Sequence, residues 1–215
     1  MIRITNIETL KGHKDEYTIP ADIDEVIDGT GLMLLPALID PHVHFRVPGA
    51  EHKEDWRTGA AAAIAGGVTT VLDMPNNTPA CTSIERLTEK KSLIEAQLKE
   101  AGIPLRYQLY IGAHQDELQQ LALARGQYVG IKVFLGQSTG SLLMNNEDAF
   151  DEVCRIAAQL ETVVAVHAED DTIIKRNEEM KKLGNKEMKK LGNEEISDPS
   201  IHSKIRSREA AIVAL

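Results

Sequence analysis

The chain has 215 residues, 42% hydrophobic and 27% charged, with a formal net charge of −9. That balance suits a globular protein with a sizeable core, and the acidic surplus argues against a nucleic-acid surface. No apolar run is long enough to span a bilayer, and Met1-Ile2-Arg3-Ile4-Thr5 has no signal-peptide pattern.

Taken in order, residues 1–33 read as short strands and turns. Ile2, Ile4 and Ile7 sit among polar residues, and Glu25-Val26-Ile27-Asp28-Gly29 reads as a strand ending in a turn. This small β segment precedes a main domain expected over residues 34–215. An apolar run, Leu34 to Ile39, reads as a buried strand leading into Asp40-Pro41-His42-Val43-His44-Phe45-Arg46. On an extended backbone His42 and His44 point to the same side. Two imidazoles so placed can grip one metal ion; a surface histidine pair is the alternative. Arg46 continues the alternation, where it can hold an anionic substrate by a bidentate contact.

An alanine-rich helix is expected over residues 54–65, closed by Gly66-Gly67. A strand over 68–74 runs into Pro75-Asn76-Asn77-Thr78-Pro79. Thr82 and Glu85 fit a capping box for a helix over residues 83–100. Further on come a strand at 106–111, a helix at 116–124, a strand at 129–135 and a helix capped by Asn146 that ends at Leu160. A strand at 162–166 then ends in His167-Ala168-Glu169-Asp170, and Ser207 caps a helix to Leu215. Between these, Glu179-Met180-Lys181-Lys182-Leu183-Gly184-Asn185 recurs as Glu187-Met188-Lys189-Lys190-Leu191-Gly192-Asn193. With two copies only, it reads as a local duplication in a charged, exposed helix–loop region, not a solenoid.

Alternating strands and helices predict an α/β protein with a parallel sheet. Polar candidates at the ends of several strands favour a (β/α)8 TIM barrel over a doubly wound sheet. No glycine-rich dinucleotide fingerprint follows the first strand, which argues the same way. Lys132 lies within a strand among Ile131, Val133 and Phe134, so it snorkels, pairs with a carboxylate or is modified. His167 is a ligand or a hydrogen-bonded structural histidine, and Asn76 is a turn residue or a site residue. His13, His52, His114 and His202 read as non-catalytic, although His114 follows a strand. Cys81 and Cys154 have neither metal-type nor disulfide-type spacing, so a reducing, cytoplasmic compartment is expected.

Four stretches together resemble the cyclic amidohydrolases, and among them the dihydroorotases. They are Gly31 to Arg46, Asp73-Met74-Pro75-Asn76-Asn77, Gly130-Ile131-Lys132-Val133-Phe134-Leu135-Gly136 and Val166-His167-Ala168-Glu169-Asp170. The resemblance implies a metal-dependent barrel with one or two zinc ions. By it, His42 and His44 bind one ion, a carboxylated Lys132 bridges two, His167 binds the second, and Arg46 and Asn76 hold the substrate carboxylate. The implied reaction is the reversible hydrolysis of dihydroorotate to N-carbamoyl-aspartate in pyrimidine synthesis. The implied partners are that small-molecule substrate and, as an allowed state, a homo-oligomer, with no nucleic acid and no membrane. Two other readings stay open: a hydantoinase- or allantoinase-like enzyme, and a non-catalytic dihydroorotase-like scaffold. Val47 stands where the family often has an acidic residue. The resemblance also implies a metal-binding histidine after a sixth strand and a catalytic aspartate after an eighth. About five βα units are expected here, so the chain reads as the first part of such a barrel, weakly active or inactive alone.

Overall fold

The computed structural model describes residues 1–136, 142–144, 146–190 and 201–213. It divides into two compact units, Met1–Leu38 and Ile39–Leu215.

In the first unit, β1 (Ile2–Thr9) pairs antiparallel with β2 (Gly12–Ile19) and parallel with β3 (Glu25–Asp28) and β4 (Met33–Leu34). Asn6, at φ 52, interrupts the alternation of β1, and Ile4 and Ile7, three apart, are both buried. The chain returns tightly at Gly29, whose N–H donates to the Thr5 carbonyl at 2.7 Å. A Cβ there would stand 2.7 Å from Ile7 Cδ1, so only glycine allows this approach.

β5 (Leu38–Val43) begins at the last residue of the first unit, and its other residues open the second. Then follow α1 (Trp56–Ala65), β6 (Val68–Asp73), α2 (Ile84–Ala101), β7 (Arg106–Gly112), α3 (Gln119–Leu123) and β8 (Gly130–Phe134). α4 (Glu147–Leu160), β9 (Val163–His167), α5 (Asp171–Lys190), α6 (Ile201–Ile205) and α7 (Arg208–Val213) complete it. The sheet order is β5-β6-β7-β8-β9, with β6 to β9 parallel. The order never reverses, as it would in a doubly wound sheet. It is the order of successive units of a (β/α)8 barrel. All five residues of β8 are buried, as befits a strand with neighbours on both sides and helices on its outer face.

The core follows the helix periods. Trp56 and Ala60 of α1 and Leu87, Ile94 and Leu98 of α2 join Leu109, Ile111, Ile131 and Val133 of the sheet. Trp56 stacks edge-on with Phe45 and Tyr107 at centroid distances of 4.7 and 5.4 Å. Its backbone N–H donates to Gln97 Oε1 at 2.9 Å, tying α1 to α2. Among the described residues no helix is long and apolar enough to cross a membrane.

Local differences from the sequence expectation have physical causes. The expected strand at 34–39 is split into β4 and β5, with Leu35, Pro36 and Ala37 unpaired between them; Pro36 has no N–H to give a ladder. The cap of α2 is Ser83, which accepts from the Arg86 N–H, while the Thr82 hydroxyl donates to Glu117 at 2.8 Å. The helix expected at 116–124 shrinks to α3. The duplicated segment lies on α5, which continues through Gly184 and Asn185 to Lys190; Leu191, Gly192 and Asn193 lie outside the described residues. α7 follows Ser207 as expected, and its last expected residues, Ala214 and Leu215, also lie outside them.

Two expectations follow from this packing. Trp56→Ala should cost about 3–5 kcal/mol by urea unfolding, the usual range for deleting a buried large aromatic side chain. Asp55 caps α1 by accepting from the Arg57 and Thr58 N–H groups. The hydrogen bond from the Arg57 side chain holds its carboxyl down at about 2, below the usual 3.8. A depressed carboxyl contributes fully above its unfolded value, and that contribution fades as pH falls toward the folded one. Asp55→Asn keeps a cap without the charge. Its melting temperature should therefore trail the parent at pH 5–7 and converge on it as pH approaches about 2.

Candidate functional site

The site is built at the ends of β5, β6 and β9 and on the middle of β8. His42 lies on β5 and His44 just past its end; their rings stand 5.3 Å apart at a 53° tilt. Asp40 accepts from the His42 N–H at 3.0 Å. The ring of His42 is held below the usual histidine pKa, first by burial and then by the positive charge of Lys132, with His167 adding to it and Asp40 opposing. His44 is lowered by burial and by Arg46, against Asp73 and a hydrogen bond with the Asn76 side chain. Residues from four stretches of the sequence, 40–46, 73–76, Lys132 and His167, therefore act on these two rings.

Arg46 does not continue the strand alternation. β5 ends at Val43, and Arg46 sits at φ 66 in a turn closed by its own carbonyl accepting from the Ala50 N–H at 3.0 Å. Its charge nevertheless reaches His44. The turn is locked from β6. Asp73 Oδ1 accepts from the Phe45 N–H at 2.9 Å, between His44 and Arg46, and the Met74 N–H donates to the Val43 carbonyl at 3.0 Å. Asp73 Oδ2 lies 2.6 Å from Lys90 Nζ of α2, with both side chains only 1% exposed. Lys90 also donates to the Met74 carbonyl at 2.9 Å and to Asn77 Oδ1 at 2.7 Å. Asn77 Nδ2 and the Thr78 N–H both donate to the Pro48 carbonyl. At Gly49, φ 100, a Cβ would meet Thr78 Cβ at 2.7 Å, so the two loops touch backbone to backbone.

Lys132 is the middle residue of β8 and 2% exposed. Its row neighbours are Gly112 on β7 and Ala165 on β9. Paired residues of a parallel sheet share a face, so these small neighbours leave room for the long side chain. No carboxylate pairs with Lys132 among the described residues; its Nζ lies 5.0 Å from the Phe134 ring centre, and burial lowers its pKa. His167 ends β9 in register with Phe134, ring centres 5.9 Å apart. His167 Nε2 is 2.8 Å from Glu169 Oε2, which also takes a contact from Arg206. Asp170 accepts from the Ile173 N–H at 2.8 Å and so caps α5. Glu169 and Asp170 are thus both engaged.

Of the expected residues, His44, Lys132 and His167 each come within reach of the His42 ring, and Arg46 and Asn76 gather on His44. Among the described residues no three His, Cys, Asp or Glu side chains converge as a metal cluster; the expected ligands comprise three imidazoles and a lysine. His114, just past β7, has a buried Nδ1 without a hydrogen-bond partner among the described residues and an Asp116 oxygen 3.9 Å away. The His13 ring pairs with Glu8 within the first unit, 3.0 Å away. The roles of Lys90 and Arg206 escaped the sequence reading. Lys90 had a signal: it sits on the same helical stripe as Leu87, Ile94 and Leu98.

Sequential βα units carrying polar groups at strand ends define the first part of an amidohydrolase-type (β/α)8 barrel. The fold matches the L-hydantoinase (dihydropyrimidinase) of Arthrobacter aurescens with a TM-score of 0.79, covering 99% of this chain and 48% of that one at 20% identity. The chain belongs to the dihydro-orotase-like family, whose sequence profile matches residues 31–182. It is 39% identical over 152 residues to the dihydroorotase of Ehrlichia chaffeensis, covering 71% of this chain and 32% of that protein. It is 36% identical over 187 residues to that of Methanosarcina acetivorans, with 84% and 37% covered. Against the multifunctional protein CAD of Squalus acanthias the identity is 35% over 167 residues, 78% of this chain and 7% of that one. The chain spans about a third of the length of the two dihydroorotases.

The buried pair yields a clean expectation. Lys90→Met should destabilise by about 3–5 kcal/mol in chemical unfolding, because it strands the Asp73 charge. Adding Asp73→Asn keeps an acceptor for the Phe45 N–H and removes that charge, so the double variant should recover most of the loss.

Proposed function

We propose that the chain carries the metal-binding and substrate-carboxylate side of a dihydroorotase. The reaction is the reversible hydrolysis of dihydroorotate to N-carbamoyl-aspartate, the ring-closing step of pyrimidine synthesis run in either direction. The observation that carries this reading is the gathering of His42, His44, Lys132 and His167 in a chain of this family.

The donor set suits zinc, which accepts imidazole and anionic oxygen ligands. His42 and His44 would hold one ion and His167 a second. Burial lowers the Lys132 pKa, favouring the neutral amine. Its nitrogen can attack carbon dioxide; an N–C bond forms as one C=O π bond opens, the nitrogen loses a proton to water, and the resulting carbamate, with one negative charge shared over two oxygens, would serve as an oxygen ligand to the metal. Zinc supplies Lewis-acid polarisation of a carbonyl and activation of water. Arg46 binds the substrate carboxylate through its guanidinium fork, and Asn76, on His44, sets the ring beside the metal position. Together they make the attack effectively intramolecular. Hydantoin and allantoin carry no such carboxylate, so Arg46 favours dihydroorotate over them. The free cysteines Cys81 and Cys154 suit a reducing cytoplasm.

The test uses the native protein with its mass verified, zinc-loaded, and given dihydroorotate, hydantoin and allantoin side by side. Dihydroorotate should be the preferred substrate. Arg46→Ala should raise KM for dihydroorotate by roughly 10–150-fold, the worth of about 1.5–3 kcal/mol in charge-assisted hydrogen bonds, at unchanged zinc content. Preference for hydantoin or allantoin would reassign the substrate. Zinc uptake without turnover of any of the three would favour a non-catalytic scaffold.

A further inference from the structure

The site contains a second chain of contacts, from a helical segment far along the sequence to one of the proposed ligands. Ile173 and Ile174 of α5 and Ala210 of α7 form a buried cluster with Ile205 of α6 against it. The Asp170 N–H donates to the Ala210 carbonyl at 2.8 Å, fixing α7 to the residue where α5 begins. This docking brings Arg206, between α6 and α7, onto Glu169 Oε2. The backbone of Glu169 is itself confined: a Cβ on Gly136 would stand 2.8 Å from Glu169 Cβ, so the chain after β8 passes directly against it. The same oxygen, Oε2, lies 2.8 Å from His167 Nε2. The other ring nitrogen, Nδ1, has no hydrogen-bond partner among the described residues.

We propose that Arg206, acting through Glu169, is a positioning residue for His167. It holds the carboxylate that accepts the Nε2 proton, fixing the ring as the Nε2–H tautomer and leaving the Nδ1 lone pair for the metal. The inference rests on the reading of His167 as a metal ligand. The physics is that of a carboxylate behind a ligating imidazole: the hydrogen bond selects the tautomer, sets the ring's orientation and raises the donor strength of the opposite nitrogen. Arg206 adds the step that keeps the carboxylate in place. Glu169, so held, serves as an orienting group and not as a general acid or base.

Two readouts on the full 215-residue chain test this at one fixed pH. Long-range nitrogen–proton correlation spectra report the His167 tautomer without metal, and competition with a chromophoric chelator reports zinc affinity. The parent chain should show the Nε2–H form. Arg206→Met should give mixed tautomers and zinc binding weaker by roughly 10–100-fold; Arg206→Lys, which keeps a cation, should recover part of both. A merely structural arginine would not move the tautomer. An unchanged tautomer and unchanged zinc affinity in a folded Arg206→Met chain would overturn the proposal. Should that variant fail to fold, Glu169→Gln weakens the same contact without touching α7, and the same two outcomes decide. If parental zinc affinity is no tighter than that of a His42→Ala/His44→Ala chain while the tautomer still answers to Arg206, the metal reading falls and the positioning of His167 stands.

Discussion

The buried ammonium of Lys90 is the fixed point of the site. An ammonium removed from water needs acceptors and a counter-charge: Lys90 has two hydrogen bonds, to the Met74 carbonyl and Asn77 Oδ1, and an ion pair with Asp73 Oδ2. Each belongs to the end of β6 or its loop. Asp73 in turn spends its other oxygen on Phe45, the residue between His44 and Arg46. Satisfying one charge therefore fixes the turn that carries a proposed ligand and a proposed substrate contact. The left-handed backbone of Arg46 is a conformation few non-glycine residues adopt. It persists because its neighbours' hydrogen bonds are determined from outside the turn.

Lys132 is equally buried and chemically its opposite. No carboxylate meets it among the described residues, glycine and alanine flank it, and burial shifts it toward the neutral amine. One lysine is held by its charges and the other is poised to lose its own. Around Lys132 stand the rings of His42 and His167, while Arg46 lies by His44. In a chain with a net charge of −9, burial thus favours the neutral forms of Lys132, His42 and His44 and leaves Arg46 as the cation beside His44.

The sequence showed the sheet, because five apolar strands separated by amphipathic helices leave few other arrangements. It also marked His42, His44, Lys132 and His167 as candidates, because each closes or interrupts an apolar run where a polar residue needs a reason. It misplaced Arg46. Alternation holds only while the strand does, and the hydrogen bond that ends the strand's influence comes from Asp73, twenty-eight positions away. Lys90 was hidden because a lysine on a helix reads as solvent-facing, although its place on the Leu87–Leu98 stripe marked it as inward. The Glu169–Arg206 contact spans thirty-seven positions and depends on how α7 docks, which no local pattern encodes. What a strand or helix does within itself was legible; what one side chain does to another element's loop was not.

The strict order of the sheet has a consequence for how the chain is made. Every strand from β6 onward pairs with the one just before it, across a single intervening helix. Among the described strands, each of β6 to β9 meets its earlier neighbour already made, so the closure entropy for each of these pairings is that of one short loop-and-helix span. Such a sheet can assemble vectorially as it leaves the ribosome, each βα unit condensing on a finished edge. Lys90 is translated after β5 and β6, and its arrival on α2 sets the first two strand ends before β7 begins. In this order of assembly the proposed ligands of β5 are in place first, and later units are added to a site already half built.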